Sequence, residues 1–331
     1  MKKILTQMFD YQSLSRAEAA EVLTKIAAGE YNNEQIASFI TVYLMRHITL
    51  EELMGFREAL LNLALKVDLS EFNPIDIVGT GGDGKDTFNI STLSCFVLAG
   101  AGYKVAKHGN YAATSVSGAS NVLEYFGAKF TTDASVLKRA IDESGMAYLH
   151  APLFNPAMKN VAPIRKALGV RTFFNVLGPL ISPAQPKYQL LGVYSLTMLR
   201  LYNYINQHIG TNFTLVHSMD GYDEVSLTAD TKIVSNNKEL LLSPTELGFA
   251  TLQQAQLNGG NTIDEAAQIF KVVLENKATD AQQAVVLANS AFAIQTLCPE
   301  YNFEECKAIA LESIESGNAK DAFEKFLDIY K

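Results

Sequence analysis

Residues 75–109 read IDIVGTGGDGKDTFNISTLSCFVLAGAGYKVAKHG, and they decide the fold. IDIVG (75–79) is a short apolar run that ends in a glycine turn, as a buried strand does. ISTLSCFVLAGAG (90–102) predicts a helix and YKVAKHG (103–109) a second strand. The alternation continues with a helix in SGASNVLEYFG (117–127), another in DASVLKRAIDESG, and the strand MAYLHA. It resumes with YQLLGVY, a long helix near 195–209 and the strand FTLVHSM (213–219). Strands alternating with helices predict a mainly parallel sheet covered on both faces. In such sheets, ligands gather at the carboxyl ends of the strands.

Upstream of residue 74 the pattern is helical. Ser15 with Glu18, Asn32 with Gln35, and Thr49 with Glu52 each have capping-box spacing ahead of an apolar-periodic segment, and Gly29 closes the first of these helices. The C-terminal third returns to helices, with KELLLS as a strand. The predicted fold class is therefore α/β. A small all-helical N-terminal domain (1–72) precedes a larger domain (73–331) with a mainly parallel sheet flanked by helices.

The 331 residues are 48% hydrophobic and 19% charged, enough for a sizeable core and unlike a disordered chain. A net charge of −8 disfavours broad binding to a nucleic-acid backbone but leaves room for a local anion pocket. No stretch reaches the roughly 18 apolar residues of a membrane span. Thr6 and Gln7 interrupt the apolar run after Lys2 and Lys3 before it can form a signal sequence. Cys95, Cys298 and Cys306 are too few and too irregular for a disulfide framework or a cysteine zinc site, so a reduced, cytoplasmic compartment is expected.

The glycine turn fits two phosphate motifs, and its context rejects both. Gly79, Gly81 and Gly84 satisfy G-x-G-x-x-G, but the next strand runs into Lys107 and His108 where a dinucleotide site needs a carboxylate. DTFN (86–89) also separates the turn from its helix. Gly79 to Lys85 satisfies G-x-x-x-x-G-K, but Asp86 stands in place of the magnesium-binding hydroxyl. An isolated glycine turn usually does no more than reverse the chain. This one feeds Asn89, Ser91 and Thr92 into a helix start, where free backbone N–H groups and hydroxyls converge, and so fits a phosphate or pyrophosphate cradle. A second polar loop, KHGNYAATSVSGAS (107–120), follows the next strand and offers Lys107, Asn110, Thr114, Ser115 and Ser117. Parallel topology sets the two loops side by side.

GTGGD (79–83), NIST (89–92), KHGN (107–110), NPAMKNVAPIRKALGVRTFFNVLGPL (155–180) and DGYDEVS (220–226) together resemble the anthranilate phosphoribosyltransferase family of tryptophan biosynthesis. The likeness reaches GGNTIDEAAQIF (259–270) and AVVLANSAFAI (284–294), covering nearly the whole chain. It implies a helical domain hinged to an α/β domain and completed by a returning segment near 160–185, in a homodimer. It also implies magnesium-dependent transfer of 5-phosphoribose from phosphoribosyl pyrophosphate to the amino group of anthranilate.

By the same resemblance, Gly79, Gly82, Asp83, Thr87, Asn89, Ile90, Ser91 and Thr92 hold phosphoribosyl pyrophosphate, with Lys107, His108, Gly109, Asn110, Thr114, Ser115 and Ala119. Gly79, Asn110 and Arg165 meet anthranilate, a guanidinium fork suiting its carboxylate. Ser91, Asp223 and Glu224 bind Mg2+, which favours hard oxygen ligands. No catalytic nucleophile or base is expected. An aromatic amine is neutral before attack, so His108 is a structural member of its loop and His150 is satisfied at a strand end. Tyr111, Val116, Ala119 and Asn155 depart from the commonest family residues, which are Arg, Lys, Ser and His. The competing readings are a pyrimidine nucleoside phosphorylase of the same fold and a non-catalytic nucleic-acid-binding relative. KHGN with the Asp223–Glu224 pair favours the transferase over the first, and the charge opposes the second.

Overall fold

The computed structural model describes residues 1–112 and 118–331. The chain divides into two compact units, Met1–Lys66 with Ala151–Gln185, and Val67–His150 with Pro186–Lys331. The helical unit closes at Lys66 rather than residue 72 and takes the chain back at Ala151 rather than near 160. The Leu65 N–H already donates to Phe154 O at 2.9 Å, tying the returning chain to the end of the first segment.

In the helical unit, Ser15, Asn32 and Thr49 cap the helices Arg16–Ala27, Asn33–Met45 and Leu50–Leu63, and all three capping boxes are complete. The first and third pack closely because Gly55 has no side chain; a Cβ there would lie 2.3 Å from Arg16 O. Phe39, Tyr43 and Phe56 form an aromatic core that Phe173 completes from the returning segment, its ring centroid 4.7 Å from that of Phe56. Glu52 is wholly buried, yet its carboxylate accepts from Arg46 Nη1 at 2.9 Å, Leu14 N at 3.0 Å and Tyr43 Oη at 3.1 Å. A buried charge needs such partners.

The second unit holds one seven-stranded sheet. Its strands are β1 (Ile75–Gly79), β2 (Val105–Gly109), β3 (Met146–His150), β4 (Tyr188–Gly192), β5 (Asn212–Ser218), β6 (Thr231–Ser235) and β7 (Glu239–Leu242). Their order is β3-β2-β1-β4-β5-β6-β7. The first five are parallel, and β6 and β7 run antiparallel at one edge. β6, sequence TKIVS, is the strand the sequence pattern did not announce. The helix Asp280–Leu297 is buried along most of its length, so its apolar residues need no single stripe. Phe96, Phe270 and Phe323 cluster elsewhere in the helical layers. Among the described residues no helix is long and apolar enough to cross a membrane.

Candidate active site

β1 and β4 end side by side on glycines, Gly79 paired with Gly192. A Cβ at Gly79 would lie 2.4 Å from Asp223 Oδ2, and one at Gly192 only 1.5 Å from Asp223 O. The missing side chains make a slot across the top of the sheet, and the loop after β5 occupies it. Two residues pin that loop. Ser218 Oγ donates to Glu224 O at 2.7 Å and accepts from Ser226 N at 3.0 Å. Asn289, buried in the long helix, brackets Val225 by accepting from its N–H at 3.0 Å and donating to its carbonyl at 2.9 Å.

The pinned loop brings acids together. Asp223 Oδ2 accepts the Gly81 N–H at 2.6 Å. Burial, then the charge of Asp83, pushes Asp223 up to about 7. Burial, then Asp223 and Asp83, pushes Glu224 well above the usual carboxylate range, opposed by Lys107. Burial likewise raises Asp83. Three crowded carboxyls that resist ionising together favour a cation that would relieve their repulsion. Among the described residues no three His, Cys, Asp or Glu side chains converge as a ready-made metal cage. Magnesium, which keeps several waters and shares substrate phosphates, does not need one.

Glycines shape the loop after β1. Gly81, Gly82 and Gly84 have φ of +65°, +72° and +75°, where a side chain would be strained. Asp83 Oδ1 accepts the Lys85 N–H at 3.0 Å, and Lys85 Nζ sits 4.5 Å from the Tyr222 ring centroid. The DTFN interruption has a structural purpose. Thr87 bridges Asn258, and the Phe88 N–H donates to Leu257 O at 3.1 Å, so residues 254–260 brace the turn before the helix Ile90–Gly100 begins.

At that helix start Asn89 Oδ1 accepts the Thr92 N–H at 3.3 Å, and the Ser91 N–H donates to Glu224 Oε1 at 3.2 Å. Lys107, buried near the end of β2, donates from Nζ to Ile77 O at 2.6 Å and to Ser91 Oγ at 3.2 Å. Thr80 Oγ1, Asn89 Nδ2 and Thr92 Oγ1 are buried and have no hydrogen-bond partner among the described residues. Ile90 is wholly buried and its N–H donates to Phe88 O at 2.8 Å. Oxygen donors, unsatisfied polar atoms, a helix N-terminus and an ammonium thus converge, a set that fits a phosphorylated ligand with a divalent ion.

The loop after β2 is anchored by the helix Ala119–Tyr125. Asn110 O accepts from Ser120 N at 3.2 Å, Asn121 Oδ1 accepts the Ala112 N–H at 3.1 Å, and Tyr111 Oη donates to Glu124 Oε1 at 2.6 Å. Gly109 must be glycine, since a Cβ would lie 2.3 Å from Tyr148 Oη. Thr114, Ser115, Val116 and Ser117 lie outside the described residues. His108 is buried, its N–H donating to Asp76 Oδ1 at 3.2 Å. His150 Nδ1 lies 2.9 Å from Ser120 Oγ, its ring stacks on Phe130, and burial lowers its pKa. Neither geometry is that of a free base.

In the helical unit, Arg165 lies on the short helix Ala162–Leu168. Its Nη2 donates to Asn175 Oδ1 at 3.3 Å and its Cζ lies 5.4 Å from the Phe174 ring centroid. Among the described residues no carboxylate forms an ion pair with it, and burial lowers its pKa. A half-buried guanidinium without a carboxylate is suited to an incoming anion. Asn155 is buried, its amide donating to Ala151 O at 3.4 Å.

Residues 71–320 match the model of the glycosyl transferase family, a/b domain, and residues 2–64 that of the same family's helical bundle domain. The anthranilate phosphoribosyltransferase of Bacteroides fragilis strain YCH46 is 58% identical over 329 residues, 99% of each chain. The chain belongs to the anthranilate phosphoribosyltransferase family. The Thermus thermophilus anthranilate phosphoribosyltransferase superposes with a TM-score of 0.91 at 31% identity, covering 98% of each chain. The Saccharomyces cerevisiae anthranilate phosphoribosyltransferase, solved in complex with PRPP and Mg, gives 0.91 at 30% identity over 98% of this chain and 96% of that one. Within this family member, the sequence reading did not identify Gly192, Asn289 or Asp76. Gly192 had a usable signal, a glycine ending a strand beside the Gly79 turn. Asn289 had none, since its partner lies 64 residues away.

Proposed function

We propose that the protein transfers the 5-phosphoribosyl group of phosphoribosyl pyrophosphate to the amino nitrogen of anthranilate, releasing pyrophosphate. The observation that carries this reading is the Asp223–Glu224 pair, lodged on Gly79 and Gly192 against the glycine turn and the Ser91 helix start. In this reading Asp223, Glu224 and the Ser91 hydroxyl hold Mg2+, which when bound neutralises charge on the pyrophosphate leaving group. Gly79, Gly82 and Asp83, with Thr87 and Asn89 to Thr92, receive the pyrophosphate end of the substrate. Lys107, His108, Gly109, Asn110, Thr114, Ser115 and Ala119 meet its phosphates from the second loop.

Arg165 pairs with the anthranilate carboxylate, while Asn110 and Gly79 meet the ring end. As the anomeric carbon–oxygen bond breaks, the electron pair leaves with pyrophosphate and the amine lone pair forms the new carbon–nitrogen bond. The nitrogen then releases its proton to a phosphate oxygen or water. No side chain has to act as base, because the attacking amine is neutral. The chain contributes position and preorganised charge, the usual source of rate in phosphoribosyl transfer. The reading brings with it a homodimer and a cytoplasmic compartment, where three free thiols stay reduced.

The test is to incubate protein, Mg2+, phosphoribosyl pyrophosphate and anthranilate and measure N-(5-phosphoribosyl)anthranilate and pyrophosphate by mass spectrometry. Equal amounts of both products support the reading. Phosphorolysis of uridine with no anthranilate product would transfer the assignment to a nucleoside phosphorylase.

A further inference from the structure

β3 is an edge strand of the sheet and pairs with β2, the strand that feeds the KHGN loop. Its backbone is held by Tyr330 of the C-terminal helix Asn318–Tyr330, whose hydroxyl accepts the Tyr148 N–H at 2.9 Å and donates to Tyr148 O at 3.3 Å. Strand alternation puts Tyr148 and His150, two residues apart, on one face of β3. Ser120, in the first turn of the helix Ala119–Tyr125, joins them. Its Oγ lies 2.7 Å from Tyr148 Oη and 2.9 Å from His150 Nδ1. All three residues are buried, Ser120 and Tyr148 completely.

The protons give this chain a direction. A serine hydroxyl has one proton to donate, and Tyr148 Oη has Ser120 as its hydrogen-bond partner among the described residues. If Tyr148 donates to Ser120 and Ser120 to His150 Nδ1, every buried donor has an acceptor. The reverse order leaves the buried Tyr148 proton without one, which native interiors rarely tolerate. His150 is therefore a neutral ring accepting at Nδ1, in accord with the burial that lowers its pKa. The same three residues carry the loop after β2, one loop residue each. Gly109 lies against Tyr148 Oη, the Ser120 N–H donates to Asn110 O at 3.2 Å, and the Tyr111 ring meets His150 edge-on at 5.0 Å between centroids.

We propose that Ser120 and His150 are positioning residues, whose hydrogen bond, continued to Tyr148, locks the Ser120 N–H on the Asn110 carbonyl and sets Gly109 and Asn110 where they meet phosphoribosyl pyrophosphate. Buried beneath the loop, neither side chain touches substrate. Both act through the loop backbone, and the inference rests on the phosphoribosyl pyrophosphate reading above.

The test is calorimetric titration of phosphoribosyl pyrophosphate, with Mg2+, into wild type, His150→Phe, His150→Asn and Ser120→Ala, with a melting curve for each. Phenylalanine keeps a ring for the stack on Phe130 and the edge contact with Tyr111 but offers no acceptor. Asparagine gives up the ring but puts an amide oxygen near the place of Nδ1. His150→Phe and Ser120→Ala are expected to raise the Kd roughly three- to tenfold, the range of one neutral hydrogen bond. His150→Asn is expected to keep the Kd within about twofold of wild type while melting below His150→Phe, because it retains the bond and loses the ring packing. A wild-type Kd in His150→Phe or Ser120→Ala would overturn the proposal, as would a Kd that simply tracks the melting temperature across the four proteins. If Ser120→Ala does not fold, the two His150 variants decide by the same criteria. A wild-type protein that binds no phosphoribosyl pyrophosphate removes the functional reading itself, whatever the variants do.

Discussion

Replacing Gly192 with alanine tests whether the paired strand-end glycines position the acids. The added Cβ would sit 1.5 Å from Asp223 O and 2.6 Å from Asp223 C. Ordinary non-bonded contact is about 3.5 Å, so the two atoms must separate by roughly 2 Å. Both obstructing atoms are backbone, so no rotamer change relieves the clash. Gly192 does not have a positive φ, which makes the defect steric rather than conformational. Overpacking of this kind costs about 1–3 kcal/mol, which is roughly 2–12 °C in Tm for a domain of this size.

The displaced loop would also lose the bond from Gly81 N to Asp223 Oδ2 and carry both acids away from Ser91. Losing such support typically weakens a metal site by about 10–100-fold. Differential scanning calorimetry and titration of phosphoribosyl pyrophosphate with Mg2+ measure the two effects. A Gly192→Ala protein that melts with wild type and binds phosphoribosyl pyrophosphate with the same Kd would refute the steric account.

Two further outcomes follow from the site. Asp223 and Asp76 each move from 3.8 to about 7 on folding, so the folded protein holds those protons more tightly than the unfolded chain. Their favourable contribution is complete below 3.8 and is lost as pH rises through about 7, at most roughly 4 kcal/mol per group at about 1.36 kcal/mol per pKa unit. Mg2+ favours the ionised Asp223–Glu224 pair, so it should raise Tm more at pH 8 than at pH 5.5, and an equal or opposite response would count against the metal assignment. Arg165→Ala should raise the anthranilate KM by about 10–100-fold, as loss of a charged hydrogen bond does, and leave the phosphoribosyl pyrophosphate KM near wild type. An unaltered anthranilate KM would dismiss that role.

Local chemistry made the architecture readable. Capping boxes fixed the three helices Arg16–Ala27, Asn33–Met45 and Leu50–Leu63, and the run IDIVG gave β1 to the residue. TKIVS was missed because Thr231, Lys232 and Ser235 leave only Ile233 and Val234 apolar, too weak a run to stand out from its polar surroundings. Lys107 was read as a phosphate contact, but its bonds to Ile77 O and Ser91 Oγ depend on a strand pairing that no local pattern encodes. The same limit hid Asp76 and Asn289, whose partners lie 32 and 64 residues away. The extra DTFN residues read as a misfit to a known motif. Their partner is Asn258, which only the folded chain brings beside Thr87.

The most direct measurement is the decay of anthranilate fluorescence with phosphoribosyl pyrophosphate as Mg2+ is titrated, for wild type and for Asp223→Asn combined with Glu224→Gln. The account predicts a decay in wild type that rises with Mg2+ and stops with chelator, and none in the variant although its circular dichroism is native. Folded wild type that shows no decay at any Mg2+ concentration, or a variant that matches wild type, would contradict it.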